Sequence, residues 1–562
     1  MDSSSMKHFR RCVTCLLDLP DEIFLLICRY LSPADVLYSF YTPSKPENRL
    51  HRIIFDYYTK IKLGGITNKE YIYLSSLFCS SKDSPRLQSL VLSNEHATSL
   101  TQRYFIDISA SIIQSMLTNL KHLKLIDCLS EDLTFLYIYI SNMKQLESFH
   151  ITYRKLDEKT NMIFCQRSNV SINQFLFDKI LPSLNTVSIE LNDGLILNKS
   201  LVSHHNLRHI NLNLQTIDDL YILLDGLVPN AQTMIIKICQ SRILNCLRPK
   251  NTLSCPKLIE FTLLEPRIGI VIDNIKCILG CMPNLIKLTL SIRDTPDSTF
   301  CRGPLFESIL NEDVRHLRQF DYTMTHRIVD NTLIEDFIQW PMEVVFYENE
   351  KCKWIHIYSL PWPSNDDDKR RLPIINGGSN LSVRSNVKRC EYMEHVVINK
   401  RYELLQLKTH FRRACQITTC ILIDMKLPKR ISKVILTKQI HTIIQPSVRH
   451  LIIQYRLTSE RDMSILACQF PHVKYLELLF PLDKSSYIHC LKSLFSRDES
   501  TEKIYCFWSE LINFSTELRF NQLDSIWNNQ SFKEWIIQNT DLKYHQCPFY
   551  VHYSIPRISI WI

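Results

Sequence analysis

The sequence predicts an α/β fold in which a short helical segment precedes a long and irregular array of short parallel strands with outer helices. The main observation is a pattern of the form Leu-x-x-Leu-x-Leu, which recurs along most of the 562 residues. Its last part alternates apolar and polar residues with the period that indicates a strand. Apolar stretches of helical length separate the copies, which predicts a helix behind each strand. Before the first copy, residues 16–62 follow the period of a helix instead.

The N-terminal segment is predicted to contain two short helices joined by a capped corner. Pro20, followed by two acidic residues, suits the first turn of a helix. The apolar face of this helix comprises Ile23, Leu26, Ile27, Tyr30 and Leu31. Ser32-Pro33-Ala34-Asp35 has the Ser-x-x-acid form of a helix N-terminus and starts the second helix. A third helix is expected from Glu47 to Tyr58.

This segment resembles the F-box, a motif that recruits the adaptor Skp1 into cullin-based ubiquitin ligases. The matching stretches are Leu19-Pro20-x-Glu22-Ile23, Leu26-Ile27 and Tyr30-Leu31-Ser32-Pro33-x-Asp35-Val36. After Tyr41 the chain departs from the family, because the usual basic pair and tryptophans are missing. The resemblance implies an adaptor-binding surface formed by Leu19, Pro20, Ile23, Ile27, Leu31, Pro33, Val36 and Leu37. The alternative is an ordinary two-helix piece of a helical domain.

The strand pattern occurs in eleven copies. They begin at Leu87, Leu120, Leu146, Leu184, Leu207, Ala231, Leu258, Leu285, Leu317, Val448 and Val473. Prolines such as Pro229 and Pro283 come shortly before a copy, where they would stop the preceding helix. From Asn206 to Asn284 the copies are about 24 to 27 residues apart, and the spacing is longer elsewhere.

These copies resemble degenerate leucine-rich repeats, for which such a spacing is typical. The Asn or Cys that the family places after each strand is matched only by Cys128, Asn192 and Cys239. The resemblance implies a curved solenoid, or horseshoe, with short parallel strands on the concave side and helices outside. Strand-like alternation without the full pattern occurs at Trp354–Tyr358, Glu394–Asn399, Thr419–Asp424 and Lys433–Leu436.

Residues that flank the second and third apolar positions of each copy should point away from the core. Most of them are polar, and they form a candidate substrate face. It includes His122, Lys124, His150, Ser188, His209, Asn211, Glu260, Lys287, Asp321, Tyr475 and Glu477. Any solvated strand face would have a similar composition, so both a binding face and a merely solvated face are consistent with the pattern.

Five segments follow from these patterns. They are a flexible N-terminus at 1–15, the F-box-like segment at 16–62, a connecting segment at 63–85, the repeat array at 86–500 with an exposed loop near 362–380, and a C-terminal cap at 501–562. The cap would cover the last repeat, which a solenoid otherwise leaves open. Within it we expect helices at Ile504–Leu511 and Ile526–Ile537 and a hairpin of Phe549–Tyr553 with Arg557–Trp561.

Composition favours a folded protein inside the cell. Hydrophobic residues make up 45% of the chain and charged residues 22%, and no apolar run is long enough for a membrane span. No secretory signal is expected in Met1–Cys15, and the 20 cysteines lack a disulfide framework, so a cytoplasmic or nuclear location is expected. The net charge of +9 is modest and scattered, so neither a nucleic acid nor a membrane is expected as partner.

No catalytic, cofactor or metal site is predicted. The chain has no Gly-x-Ser-x-Gly elbow, phosphate loop or His-Glu-x-x-His motif, and it has only 9 glycines. Cys12-Val13-Thr14-Cys15 has no second ligand pair nearby, as structural zinc would need. Asp366–Asp368 is better explained as a solvated charge run than as an acid–base site.

Together these features predict a non-catalytic substrate-recognition subunit of an Skp1–cullin–F-box ubiquitin ligase. The F-box would bind the Skp1-like adaptor and through it the cullin, and the repeats would hold an unidentified protein substrate for ubiquitin-dependent degradation. Such a receptor acts by raising the effective concentration of its substrate near the enzyme. The first alternative is a repeat scaffold for protein–protein interaction that has no role in a ligase. The second is a nucleic-acid binder, whose affinity would fall steeply with salt.

Overall fold

The predicted α/β class is confirmed by the computed structural model, which combines helices with two large, mainly parallel sheets. It describes residues 19–42, 45, 48–80, 87–95, 97, 99–153, 172–173, 176–177, 181–191, 193–198, 200–240, 255–264, 270–328, 335–348, 353–359, 395–398, 416–419, 427–429, 431–437, 444–481, 484–497, 504–517, 529–540, 542, 549–554 and 557–562. The expected flexible N-terminus at 1–15 and the expected loop near 362–380 lie outside these residues.

The described residues form about 13 α-helices, numbered here in chain order. They are α1 (Asp21–Cys28), α2 (Pro33–Phe40), α3 (Arg49–Tyr57), α4 (Asn68–Ser80), α5 (Leu100–Asp107), α6 (Ala110–Thr118), α7 (Ser130–Tyr139), α8 (Ile217–Ile222), α9 (Ile272–Leu279), α10 (Gly303–Asp313), α11 (Glu460–Gln469), α12 (Lys484–Leu494) and α13 (Asn529–Asn539). Among the described helices, none combines the length and the apolar character needed to span a bilayer.

The larger sheet has 12 strands in the order β1-β2-β3-β4-β5-β6-β7-β8-β9-β10-β12-β11. Its strands are β1 (Lys60–Leu63), β2 (Ser89–Ser93), β3 (His122–Cys128), β4 (Ser148–Tyr153), β5 (Thr186–Glu190), β6 (His209–Leu214), β7 (Thr233–Ile238), β8 (Glu260–Leu264), β9 (Lys287–Thr295), β10 (Gln319–Ile328), β11 (Glu343–Glu348) and β12 (Lys353–Tyr358). Strands β1 to β10 are parallel, and the last two are antiparallel to their neighbours.

The smaller sheet has 8 strands in the order β13-β14-β15-β16-β17-β20-β22-β21. Its strands are β13 (His395–Ile398), β14 (Gln416–Thr419), β15 (Lys433–Leu436), β16 (His450–Arg456), β17 (Tyr475–Leu479), β20 (Asn513–Glu517), β21 (Tyr550–Ser554) and β22 (Arg557–Trp561). A separate antiparallel pair joins β18 (Phe495–Arg497) to β19 (Ile504–Cys506). The predicted terminal hairpin is confirmed as β21 and β22, which run antiparallel.

Neighbouring strands of the larger sheet are aligned at the apolar positions that the pattern predicts. Leu90 lies opposite Leu123, which lies opposite Phe149, and all three are buried. The same alignment continues to Phe320 on β10. One face of the sheet is therefore a continuous apolar core, and the register predicted from the sequence is confirmed.

One hydrogen-bond arrangement recurs at the start of these strands and fixes their spacing. The Gln88 carbonyl accepts from both the Lys121 amide (2.8 Å) and the His122 amide (2.9 Å). The Lys121 carbonyl accepts in the same way from the next strand, at 2.8 and 2.9 Å. Two consecutive amides of each strand thus share one carbonyl of the strand before, which satisfies backbone donors that burial would otherwise leave unpaired.

Asparagine side chains reinforce the turns before three of the strands. The amide of Asn206 donates to the Pro182 carbonyl (2.6 Å), that of Asn230 to His205 (2.7 Å) and that of Asn284 to Pro256 (2.8 Å). Each asparagine directly precedes the first apolar residue of its copy. These asparagines were not predicted, because the leucine-rich-repeat pattern places its Asn or Cys after the strand rather than before it.

The structure differs from the sequence prediction at the start of the strand array and at one helix of the C-terminal segment. The sheet begins with β1 at residue 60, ahead of the expected start of the array at 86, and β1 pairs in parallel with β2. The segment at 63–85, which was expected only to connect two parts of the chain, therefore contains the last residue of β1 and the helix α4. In the C-terminal segment, the helix expected at Ile504–Leu511 is wrong because Ile504–Cys506 is a strand, whereas α13 lies where the next helix was predicted.

The C-terminal hairpin packs against the beginning of the larger sheet. The indole N–H of Trp561 donates to the Ile66 carbonyl (3.0 Å), and the ring is buried against Tyr71. The Arg103 guanidinium lies 4.4 Å from the Tyr71 ring centroid and 4.3 Å from that of Tyr550. We call Tyr71, Arg103, Tyr550 and Trp561 the closure contact. The hairpin thus does more than cover the last strand, because it joins the smaller sheet to the beginning of the larger sheet.

Replacing Arg103 with Leu should loosen the closure contact. The side chain is only 12% exposed, so its cation–π contacts are desolvated and worth about 2 kcal/mol. Hydrogen exchange should then accelerate at residues 549–562 and at the Asn68 amide, which donates to the Ile562 carbonyl. Arg315→Leu, at an exposed position away from the contact, is the matched control. Unchanged exchange in Arg103→Leu would contradict a joining role for this contact.

Candidate docking surfaces

The three N-terminal helices are fixed by polar contacts at their ends. As the sequence predicts, the Ser32 hydroxyl accepts from the Asp35 amide (3.0 Å) and caps α2. Asn48 caps α3 by accepting from the Leu50 amide (3.0 Å). Arg49 on α3 reaches back to α1, where it donates to the Leu19 carbonyl (2.7 Å) and pairs with the Asp21 carboxylate. We call residues 19–58 the helical head.

The core of the helical head is continuous with the core of the larger sheet. The Phe24 and Phe40 rings meet edge to face at 4.8 Å between centroids. Val36 and Leu37 are fully buried, and they belong to the same apolar cluster as Ile61 on β1. The head is therefore held rigidly on the sheet rather than by a flexible linker.

Six large apolar side chains of the helical head remain exposed, namely Tyr38 on α2, Tyr57 on α3 and four that lie close together in sequence on α1 and the turn after it. Ile23 and Leu26 on α1 are each 44% exposed, Tyr30 is 85% exposed and Leu31 is 40% exposed. Their spacing puts them on one side of α1 and its C-terminal turn. We call these four residues the head patch. Clustered exposed apolar side chains of this size mark a docking surface more often than scattered ones do.

The residues predicted to contact an adaptor divide into two groups. Ile23, Leu31 and Pro20 are exposed, and the side chains of Leu19, Ile27 and Pro33 are partly accessible. The prediction is wrong for Val36 and Leu37, because both are 0% exposed. The physical reason is that α2 lies between α1 and the first elements of the sheet, so its apolar side faces inward. Leu26 and Tyr30 were predicted only as part of the apolar helical face, and their spacing from Ile23 is the signal that identifies them.

The polar face of the larger sheet carries two aligned rows of side chains, which we call the polar ladder. The first row is Lys60, Ser89, His122, Ser148, Thr186, His209, Thr233, Glu260, Lys287 and Gln319. The second row is Lys62, Val91, Lys124, His150, Ser188, Asn211, Ile235, Thr262, Thr289 and Asp321. Nine of the eleven residues predicted for the substrate face lie in these rows.

Hydrogen bonds between neighbouring strands order part of the polar ladder. His209 Nδ1 lies 2.9 Å from the Thr233 hydroxyl, and the Asn211 amide donates to the Ser188 hydroxyl at 3.1 Å. His122, Lys124, His209 and Glu260 are exposed, whereas the other predicted residues in the rows are partly buried. The ladder thus presents donors and charges to solvent on a rigid surface.

The two remaining predicted residues, Tyr475 and Glu477, lie on β17 of the smaller sheet. The Tyr475 hydroxyl donates to the Gly65 carbonyl (3.2 Å), in a turn where Gly65 has a φ of 75°. Burial, together with Glu95 and Glu70, raises the pKa of Tyr475 to about 12. The Glu477 carboxylate lies 3.6 Å from His450 Nε2. The prediction of Tyr475 as part of an open substrate face is therefore wrong, because this side chain contacts the beginning of the larger sheet.

Within the described residues, no group of three His, Cys, Asp or Glu side chains is arranged to hold a metal ion, and Cys12–Cys15 lies outside that part of the chain. Burial raises the pKa of both Cys255 and Cys301 to about 12. These two thiols therefore stay protonated, the form that is a poor nucleophile.

The pKa of His150, in the second row of the polar ladder, shows which protonation state the imidazole has. Burial, and then the charge of Lys124 on the neighbouring strand, lower its pKa to about 4. The imidazole is therefore neutral at physiological pH and donates or accepts hydrogen bonds without carrying charge. The positive charge at this point of the ladder comes from Lys124.

No protein-family model and no curated protein matches the sequence.

Acidification should destabilise the protein through His150. Because its pKa falls from about 6.5 unfolded to about 4 folded, the unfolded state binds more protons between these values. The stability that depends on neutral His150 is complete above pH 6.5 and is lost as the pH falls toward 4. His150→Gln should therefore show a smaller drop in Tm between pH 7.5 and pH 4.5 than the wild type. Equal drops in both proteins would contradict the burial of a neutral histidine here.

Proposed function

We propose that the chain is a non-catalytic substrate receptor of an Skp1–cullin–F-box ubiquitin ligase. In this proposal the helical head is the F-box, and the strands and helices behind it form an irregular leucine-rich-repeat solenoid. The observation that carries the proposal is the head patch, in which four apolar side chains are exposed together on α1 and its C-terminal turn while Phe24, Val36 and Leu37 form a buried core beneath them. The protein would act in the cytoplasm or nucleus, and the chemistry of ubiquitin transfer would belong to its partners.

The head patch has the properties that an adaptor-binding surface needs. Burying a large apolar side chain contributes about 1.5–3 kcal/mol when it is fully removed from water. Ile23 and Leu26 are each 44% exposed, so a partner would gain a substantial part of that from each of them. Arg49 holds the start of α1 against α3, so the patch is preorganised and little entropy is lost on docking.

Support for the solenoid comes from the strand order and from the repeated hydrogen bonds. The first ten strands of the larger sheet follow the chain in order and are parallel. In each strand from β2 to β10, two consecutive amides at the start donate to one carbonyl near the start of the preceding strand, as at Gln88. Stacking of this kind buries one apolar face continuously and leaves the other available, as in repeat proteins that bind partners along one surface.

The rigid junction between head and sheet fits a receptor that works by proximity. Val36 and Leu37 from the head and Ile61 from β1 share one apolar cluster. An adaptor bound to the head patch would thereby hold the polar ladder in one orientation. A substrate bound along the ladder would be presented to the charged enzyme at a defined position, which raises its effective concentration.

The double substitution Ile23→Asp and Leu26→Asp should abolish capture of Skp1. Each aspartate would bring an unpaired charge into an apolar interface, and together they should weaken binding at least about a hundredfold. Both positions are exposed, so the Tm should stay near that of the wild type. The measurement is pull-down of purified Skp1 together with circular dichroism of each variant.

Two controls separate docking from folding. Ile138→Asp changes an isoleucine on α7 that is 65% exposed but lies away from the head patch, and it should leave capture unchanged. Val36→Asp places a charge in the head core and should lower the Tm as well as capture. If the double variant captures Skp1 as well as Ile138→Asp does, the head patch is not the adaptor site.

The second candidate function is a repeat scaffold that binds a protein partner and has no role in a ligase. The closure contact favours it, because a helical head fixed where the two sheets join could serve as a structural cap. Deleting residues 1–62 does not distinguish the two functions, since it removes most of β1 and uncovers the core. The scaffold predicts that the wild type fails to capture Skp1 while remaining folded.

A further inference from the structure

The positive charge of the polar ladder is concentrated at the end that joins the helical head. Five basic or imidazole side chains lie on three of its first four strands, β1, β3 and β4, and we call them the basic stretch. They are Lys60, Lys62, His122, Lys124 and His150. From β1 to β7 neither row contains an acidic residue, and the first one is Glu260 on β8. The asymmetry along the ladder makes this end attractive to an anion.

The register places these side chains within reach of one ligand. Neighbouring strands are about 4.8 Å apart, so Lys62 and Lys124, which are separated by one strand, lie about 10 Å apart. His122 is two residues from Lys124 on the same face of β3, and His150 lies directly beside Lys124. In the first row, Ser89 lies between Lys60 and His122, and Ser148 lies on the other side of His122. Both serines add hydroxyl donors.

The lysines of the basic stretch are not neutralised by neighbouring carboxylates. Within the described residues, the side chains of Lys60, Lys62 and Lys124 form no ion pair or hydrogen bond, whereas the side chain of Lys121, just outside the ladder, pairs with Glu147 at 3.0 Å. Asp127 is the one acid within strands β1 to β4, and it lies beyond the second row on β3 and has interactions of its own. Because His150 is neutral, it can offer an anion a hydrogen bond but no charge, and the positive charge beside it is that of Lys124.

We propose that the basic stretch binds an anionic segment of the protein substrate, lying extended across β1 to β4. The segment carries either clustered Asp and Glu residues or a phosphorylated side chain, since both present oxygen anions to lysine, imidazole and hydroxyl donors. This inference rests on the proposed function, because it takes the polar ladder as the substrate face. It places the bound segment beside the helical head, at the end of the array nearest the adaptor.

A peptide explains the composition of this surface better than a nucleic acid does. Val91 and Ile126 lie among the charged residues, and hydroxyl and amide side chains follow on the next strands. The lysines cover only about 10 Å, too short to track a phosphodiester backbone over several nucleotides. A short anionic segment flanked by neutral residues matches both features.

The experiment measures fluorescence anisotropy with the full chain and four labelled probes. They are a peptide with a central Glu-Asp cluster, the same peptide with a phosphoserine in place of the cluster, its unphosphorylated serine version, and a single-stranded RNA of similar length. Either anionic peptide should bind at least tenfold more tightly than the serine peptide. A preference between the two assigns the anion to carboxylates or to phosphate, and either assignment supports the proposal.

The test variant combines Lys62→Gln with Lys124→Gln. The matched control combines Lys144→Gln with Lys257→Gln, which change two exposed lysines away from the ladder. The first pair should weaken binding of the anionic peptide at least tenfold, and the control should leave it unchanged. No binding of either anionic peptide up to about 1 mM, equal binding of the serine peptide, or equal loss in the control would overturn the proposal. So would RNA binding tighter than both peptides.

Capture of Skp1 separates this proposal from the one on which it rests. Lys62→Gln with Lys124→Gln leaves the head patch intact, so this variant should capture Skp1 as the wild type does. If the wild type captures Skp1 but binds neither anionic peptide, the proposed role of the basic stretch is refuted and the ligase proposal is not. Peptide binding without capture by the wild type would instead refute the ligase role and leave an anion-binding scaffold.

Discussion

The sharing of one carbonyl by two consecutive amides of the next strand is the constraint on which the structure depends. At Gln88 and again at Lys121, this arrangement sets the spacing and the register of the following strand. Once the register is fixed, period-two alternation sends every second side chain to the core and every other one to the polar ladder. A one-residue slip would exchange the two sets and bury Lys124 in place of Leu125, which explains why the register persists although the copies vary in length.

The same constraint explains why the sequence predicted the ladder well and the boundaries less well. Apolar positions such as Leu90 and Leu123 are local signals, and they place His122 and Lys124 correctly. The strand β1 was missed because Lys60-Ile61-Lys62-Leu63 has only two apolar residues and no leading leucine. Contacts between residues far apart in the chain leave no such local trace. Tyr475 therefore looked free, although it contacts the Gly65 carbonyl.

The helical head shows a related limit of sequence reasoning. Two helices in isolation have one apolar side each, which made Val36 and Leu37 look available to a partner. In the structure Val36 and Leu37 on α2 are buried, whereas the head patch of Ile23, Leu26, Tyr30 and Leu31 is exposed. Burial of the second helix joins the head to the sheet, and exposure of the first leaves a patch for docking. Both properties are needed if adaptor and substrate are to be held in a fixed geometry.

Hydrogen–deuterium exchange of the full chain, alone and with purified Skp1, tests the central proposal most directly. Docking on the head patch should slow exchange in residues 21–31, because the amides of α1 and its C-terminal turn would lose access to solvent. Exchange along the polar ladder, from β2 to β10, should stay as it is in the free chain. A stable complex with unchanged exchange in residues 21–31, or no complex at all, would contradict the assignment of the helical head as an adaptor-binding unit.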